Sequence, residues 1–374
     1  MNEFRKHAIA WLALALSGMS AVPFAHAAYP DMGDIVFANG WEWPTTHVGG
    51  ANYLWWNLGP SCDREPYGLL PNYAAPGVRF NAQQQLASMH ADGMRTLAIG
   101  LYFVDAATSG GTLIDAGDAT AVDVAATNLG SLLDDIAATG FERVLFRFFP
   151  QGNMNPANDA FDADTVPLYE NLIAAMRAQL ATRALPHLID LGVELAPADT
   201  ESGTCAFTHP NDTWKCPKNQ AWSKATREIW RWYRAAYGVD DSIGFSFLAG
   251  TGTLRNRVRH MKYVYDDMYP GAWPAHLAID VYGEPGHDAA DQLVDFMGLA
   301  NHYGVSYGFT VDDFIIGETW NNDPDVAARL ASAIAATRQP VRYLLEWPLD
   351  RGASCADVSV APPYGFDMYR LYGF

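Results

Sequence analysis

Apolar residues in this chain alternate between two kinds of stretch. Dense runs rich in β-branched and aromatic residues occur at 51–58, 96–103, 144–149, 186–194, 243–248, 277–282, 314–316 and 341–347. Each is too short for a stable helix and apolar on both alternating faces, the mark of a strand buried on both sides in a parallel sheet. Between them, apolar positions recur at helical spacing. Asn81 caps a helix reaching about Ala91, a second runs 121–139 and stops at Gly140, and a third carries Leu168, Leu172, Ile173, Met176 and Leu180 on one face. Further helices are predicted over 220–237, 254–268, 289–303 and 325–337.

Eight strands alternating with helices, with no break in composition, predict an α/β fold. Specifically, they predict a (β/α)8 TIM barrel in a single domain with decorated loops on its C-terminal face. An open doubly wound sheet is the competitor, and it calls for a glycine-rich phosphate loop after its first strand. Neither G-x-G-x-x-G nor G-x-x-x-x-G-K-[ST] occurs.

The amino terminus changes the picture of where the barrel works. Arg5, Lys6 and His7 precede an apolar run over 9–16, and Ala25-His26-Ala27 offers a cleavage site. Residues 1–27 read as a secretory signal, leaving 28–374 as the barrel and a secreted or periplasmic protein. All four cysteines lie in the exported part. Four allow three pairings; Cys205 with Cys216 is the local one, leaving Cys62 with Cys355 to join the two ends of a closed barrel. The formal net charge of −18 argues against nucleic acid or an anionic membrane as partner. A monomer is expected.

Two strand ends carry the chemistry. Strand four finishes Gly192-Val193-Glu194 and strand seven Ile316-Gly317-Glu318-Thr319-Trp320. A strand buried on both faces has no structural use for an acid at its tip, because desolvating a carboxylate is costly unless it is partnered. A helix cap or an arginine partner would explain one such residue. Two on non-adjacent strands face each other across a barrel mouth, which is what retaining glycoside hydrolysis needs.

These residues resemble the retaining (β/α)8 glycoside hydrolases of clan A, the 4/7 superfamily. The resemblance covers the barrel pattern over nearly the whole exported chain. By that resemblance Glu194, in the place of the last residue of G-N-E, is the acid/base and Glu318 the nucleophile. Tyr282 is similar to the tyrosine that touches the nucleophile, and Trp347 to the tryptophan that floors the sugar site. Two departures stand out. Val193 occupies the position of the usual asparagine, and strand two reads Leu97-Ala98-Ile99-Gly100 where an arginine is usual. Arg147 on strand three either substitutes by pairing with Glu318 or forms a structural ion pair.

The remaining candidates follow from position. Glu284 is the reserve acid. Asp312 and Asp313 belong to the opposite mouth, and of Glu346 and Trp347 only one can face the barrel interior. Trp55, Trp56 and Trp320 lie at strand ends, where indole faces can stack on sugars or simply pack in the core. Trp214, between Cys205 and Cys216, is a further subsite wall. The histidines are scattered, so no metal site and no cofactor are expected. Substrate binding is therefore expected to involve Trp55, Trp56, Arg147, Tyr282, Glu284, Trp320 and Trp347. The partner is a poly- or oligosaccharide. A carbohydrate-binding barrel that keeps the cleft and lacks the chemistry is the other reading.

Overall fold

The dense apolar runs become the strands of one parallel sheet in a computed structural model that describes residues 48–58, 64–66, 68–105, 113–158, 160–195, 217–249, 268–269, 271–283, 286–352 and 360–374. All of these lie in one of the chain's two compact units, Pro44–Phe374; the other, Met1–Trp43, is outside the described residues. The signal reading, all four cysteines, Trp214 and Glu284 also lie outside them.

The barrel strands are β1 (Gly50–Tyr53), β2 (Thr96–Val104), β3 (Arg143–Pro150), β4 (His187–Asp190), β5 (Ser242–Gly244 with Phe247–Leu248), β6 (His276–Asp280), β7 (Asp313–Glu318) and β8 (Val341–Glu346). Consecutive strands pair in parallel from β1 to β4, and β4 pairs with the first half of β5. The second half of β5 pairs with β6, β6 with β7, β7 with β8, and β8 returns to β1. The two ends of the sheet order are thus two halves of one strand, and the sheet closes as a (β/α)8 barrel.

Alternation divides the interior into levels. Ala98, Leu145, Leu188, Ile243, Ala278, Ile315, Tyr343 and Leu345 point inward and form a dry plug. The intervening residues, such as Leu97, Ile99, Val144 and Phe146, face the helices and join the larger outer core. One step further toward the C-terminal mouth the inward positions turn polar, with Asn52, Arg147, Asp190 and Asp280 buried among apolar strands.

The helices pack outside. Pro76–Ala91 begins earlier than Asn81 suggests, because Pro76 fits the first turn, where its missing N–H costs nothing. Ala119–Thr139 is capped by the Asp118 side chain and ends at left-handed Gly140. Val166–Ala181 buries Tyr169, Leu172, Ile173, Met176 and Leu180, each worth roughly 1.5–3 kcal/mol in apolar burial.

Three strand readings need correction. The first run is not one strand: β1 ends at Tyr53, and Trp56–Leu58 instead pairs antiparallel with Arg64–Pro66. The fourth ends in hydrogen bonding at Asp190, so Glu194 sits on the turn beyond it. The fifth is interrupted at Phe245 and Ser246, where Ser246 turns its hydroxyl toward the barrel axis.

Candidate active site

Arg147 is the centre of the polar level. It lies on β3 with no exposed surface, in register with Gly100 on one side and Asp190 on the other. Its guanidinium spends every N–H on the strands around it. Nε donates to Asp190 at 3.1 Å, and Nη1 donates to Glu318 Oε1 at 2.6 Å, to Asn52 Oδ1 at 2.9 Å and to the Gly317 carbonyl at 3.2 Å. Nη2 donates to Ser246 Oγ at 3.2 Å and to the two Asp280 oxygens at 3.2 and 2.9 Å. Burial alone would weaken its charge, but Asp280, Glu318 and Asp190 outweigh that and hold it a cation.

Glu318 closes β7 and is 5% exposed. Its second oxygen accepts the Tyr282 hydroxyl at 2.8 Å. Burial pushes the carboxyl up to about 7; Arg147 opposes this, Glu194 adds to it, and the Tyr282 hydrogen bond opposes it again. Tyr282, half-buried beside these acids, is held well above its ordinary value by desolvation and by Glu318, and stays a donor.

Glu194 reaches the same place by another route. Its φ is +53°, a left-handed conformation uncommon outside glycine and costly for a bulkier side chain. The turn is fixed by Val193 N–H donating to the Phe148 carbonyl at 3.0 Å and Glu194 N–H donating to Ser246 Oγ at 3.0 Å. One oxygen from each of Glu194, Asp280 and Glu318 lies within 4.8 Å of the others. Three carboxylates so close could hold a cation. Here the Arg147 guanidinium already supplies positive charge to Asp280 and Glu318, so the donor set does not require a metal.

The aromatic candidates separate. Trp320 donates its indole N–H to the Tyr282 carbonyl at 2.6 Å and meets the Tyr282 ring edge-on at 5.0 Å, half-buried beside Glu318. Trp347 lies over Phe149 with centroids 6.1 Å apart, and Phe149 in turn stacks on Tyr102 at 4.4 Å. Trp55 bonds to the Tyr53 hydroxyl and lines a separate small cavity with Leu69, Leu70 and Tyr102. Trp56 is described in its backbone only.

Two expectations change. Arg147 as a sugar-binding residue is corrected: it is fully buried and spends its donors on protein groups, so it acts on Glu318 and not on a substrate. The choice between a Glu318 partner and a structural ion pair also dissolves, since Arg147 is both. Glu346 faces away from the barrel axis, accepting the Asn322 N–H at 2.7 Å. Burial holds its carboxyl well above the ordinary range.

Asn52, Asp190 and Ser246 were not singled out from the sequence. The signal for two of them is there: Asn52 and Asp190 are polar residues on inward positions of otherwise apolar strands, at the same level as Arg147. Ser246 carries no such signal, because it sits in the break of β5.

No family model and no curated protein sequence matches the chain. Among solved structures, the GH5_18 protein of Bifidobacterium longum subsp. longum with Manb1-4GlcNAc aligns at a TM-score of 0.54 and 13% identity. That alignment covers 87% of this chain and 77% of the other. The GH5_18 protein of Streptomyces cattleya with the same sugar aligns at 0.50 and 15% identity, covering 87% and 79%. The beta-glycosidase of the hyperthermophile Thermosphaera aggregans aligns at 0.49 and 12%, covering 81% and 87%. At these identities the likeness speaks for the fold, and the chain shares its (β/α)8 barrel with the two GH5_18 structures.

Proposed function

We propose that this chain is an exported retaining glycoside hydrolase acting on a poly- or oligosaccharide, with Glu318 as nucleophile and Glu194 as acid/base. The observation that carries the reading is the spacing of the two acids. Their oxygens lie within 4.8 Å, at the C-terminal ends of β4 and β7. Carboxyl groups of retaining pairs stand about 5–5.5 Å apart, whereas inverting pairs leave roughly 6.5–9.5 Å for a water.

The surroundings support this division of roles. Arg147 at one Glu318 oxygen and the Tyr282 hydroxyl at the other favour the charged form there. Two carboxyls this close titrate as a pair, and in this reading the chemistry needs the proton on Glu194 when Glu318 attacks. Glu318 attacks the anomeric carbon, the glycosidic C–O bond breaks toward the leaving oxygen, and that oxygen takes the Glu194 proton. Water then attacks the same carbon, gives its proton to the Glu194 carboxylate, and Glu318 leaves with its electron pair. Trp320, half-buried next to Glu318, offers an aromatic face for the sugar ring, and Trp347, nearly buried against Phe149, is read as the floor of the same site. The carbohydrate-ligated GH5_18 structures with the same barrel are consistent with this substrate class.

Glu318→Gln and Glu194→Gln should each lower kcat on the best aryl glycoside by at least about 10³-fold with the fold intact by circular dichroism, as loss of a nucleophile or acid does. Normal turnover by both variants sinks the assignment. Glycan binding by the wild type without hydrolysis, across a broad array, would favour the binding-only barrel.

A further inference from the structure

Asp280, at the end of β6, has no place in the two-step chemistry. It is completely buried, so no sugar reaches it, yet its carboxylate lies in the same cluster as Glu194 and Glu318. Burial pushes it well above the ordinary carboxylate range, and Arg147 pulls the other way.

Its neighbours define what it does. Along β7, Ile315 faces the inner plug and Ile316 the outer core. Strict alternation would put Gly317 inward and Glu318 outward, away from Arg147. The pairing with β6 slips at this point: Ile279 stands opposite Ile316, but Asp280 stands opposite Glu318. Gly317 is the extra residue of a bulge, a device that re-aims the side chain after it. The Gly317 carbonyl is pinned by the Asn52 amide at 2.8 Å and by Arg147 Nη1 at 3.2 Å. A Cβ on Gly317 would fall 2.6 Å from Asp280 Oδ1 and 3.4 Å from Arg147 Nη2. The Asp280 carboxylate therefore fills the space that a side chain at the bulge would need. On the arginine, Asp280 takes two of the three contacts of Nη2, including its one charged partner and the shortest at 2.9 Å; the third is the Ser246 hydroxyl. Without it, that arm of the fork keeps one weak partner and can swing away from Glu318.

We propose that Asp280 is a positioning residue for Glu318: it locks the Arg147 fork and, packed on Gly317, fixes the bulge that aims the carboxylate into the barrel. This rests on the reading in which Glu318 is the nucleophile.

The test uses aryl glycosides for turnover and an activated 2-deoxy-2-fluoroglycoside for covalent labelling. Asp280→Ala should lower kcat and the labelling rate constant about 100-fold, the cost of a misaimed reacting group, while KM stays within about threefold. Asp280→Asn keeps the bulk and one oxygen for Arg147, so its loss should shrink to about tenfold. Gly317→Ala should cost about 100-fold alone and less than about threefold on top of Asp280→Ala, where the clash is gone. The proposal is overturned by a kcat for Asp280→Ala within threefold of wild type, by a loss confined to KM, or by full additivity of the Gly317 and Asp280 changes. If Asp280→Ala does not fold, Asp280→Asn decides, and an unchanged kcat overturns it. Wild type that neither turns over nor labels at Glu318 refutes the glycosidase reading itself. An active, labelled wild type with indifferent variants refutes only the role of Asp280.

Discussion

Glu318 takes its character from two contacts of opposite origin, a charge from below and a neutral donor from the side. The Tyr282 hydroxyl bonds to the carboxylate form, so it lowers the pKa that burial raises. Tyr282→Phe removes that hydrogen bond, and the Glu318 pKa should rise. If Glu318 is the nucleophile proposed above, the low-pH limb of kcat/KM follows its ionisation in the free enzyme and should then move up by about one unit. That is the scale of one lost hydrogen bond to a charged group. A pH series on both proteins checks this; a limb that stays put or moves down contradicts the geometry. The sign matters, since simple loss of packing would lower the rate at every pH alike.

At the scale of elements, the barrel depends on close approach between neighbouring strands. Gly50 on β1 lies so near β2 that a Cβ would sit 1.9 Å from the Thr96 carbonyl. Gly50→Ala must push the two strands apart and should cost more than about 3 kcal/mol, read as a drop in the urea midpoint. A midpoint unchanged from wild type would show that the strands can separate freely. The strands themselves were legible because burial on both faces leaves dense apolar runs, and β2, β3 and β8 begin and end within a residue or so of those runs. Their breaks were not. Leu54-Trp55 and Phe245-Ser246 are as apolar or as small as residues inside strands; at the second break Phe245 N–H donates to the Tyr269 hydroxyl and Ser246 N–H to Asp190 Oδ1, so side chains rather than local propensity end the pairing. The acids at 194 and 318 were legible as carboxylates at the tips of otherwise apolar strand runs. Asp280 was visible beside Tyr282, but its role depends on a one-residue slip in pairing, and register does not show in a single strand's pattern. The short helix Asp367–Leu371 was missed in a tail rich in glycine and proline; it is tied back to the barrel by the Tyr369 hydroxyl donating to the Trp320 carbonyl at 2.5 Å, a contact 49 residues apart that its own sequence does not show.

For the molecule as a whole, the expectation of export and of two disulfides concerns residues outside those described, and solution chemistry can address it. Expressed with its leader in a host that exports it, the protein should begin at Ala28. Peptide mapping without reductant should recover Cys205 with Cys216 and Cys62 with Cys355. Free thiols by titration, or a retained leader, would remove the argument for an oxidising compartment.

Arg147 takes partners from β1, β4, β6 and β7 and from the break in β5. A half-formed barrel holding only the first four strands offers that cation Asn52 and Asp190 and none of the rest. Glu318 and Asp280 arrive late in the chain, and until they dock, the guanidinium has no reason to be dry. Assembly of the site and closure of the ring are thus one event. During refolding from denaturant, helical signal can return while the early strands and helices gather. Hydrolytic activity should lag behind that signal and return together with protection of the β8–β1 amides from exchange. A fragment ending before β6 should show helix and no trace of the site.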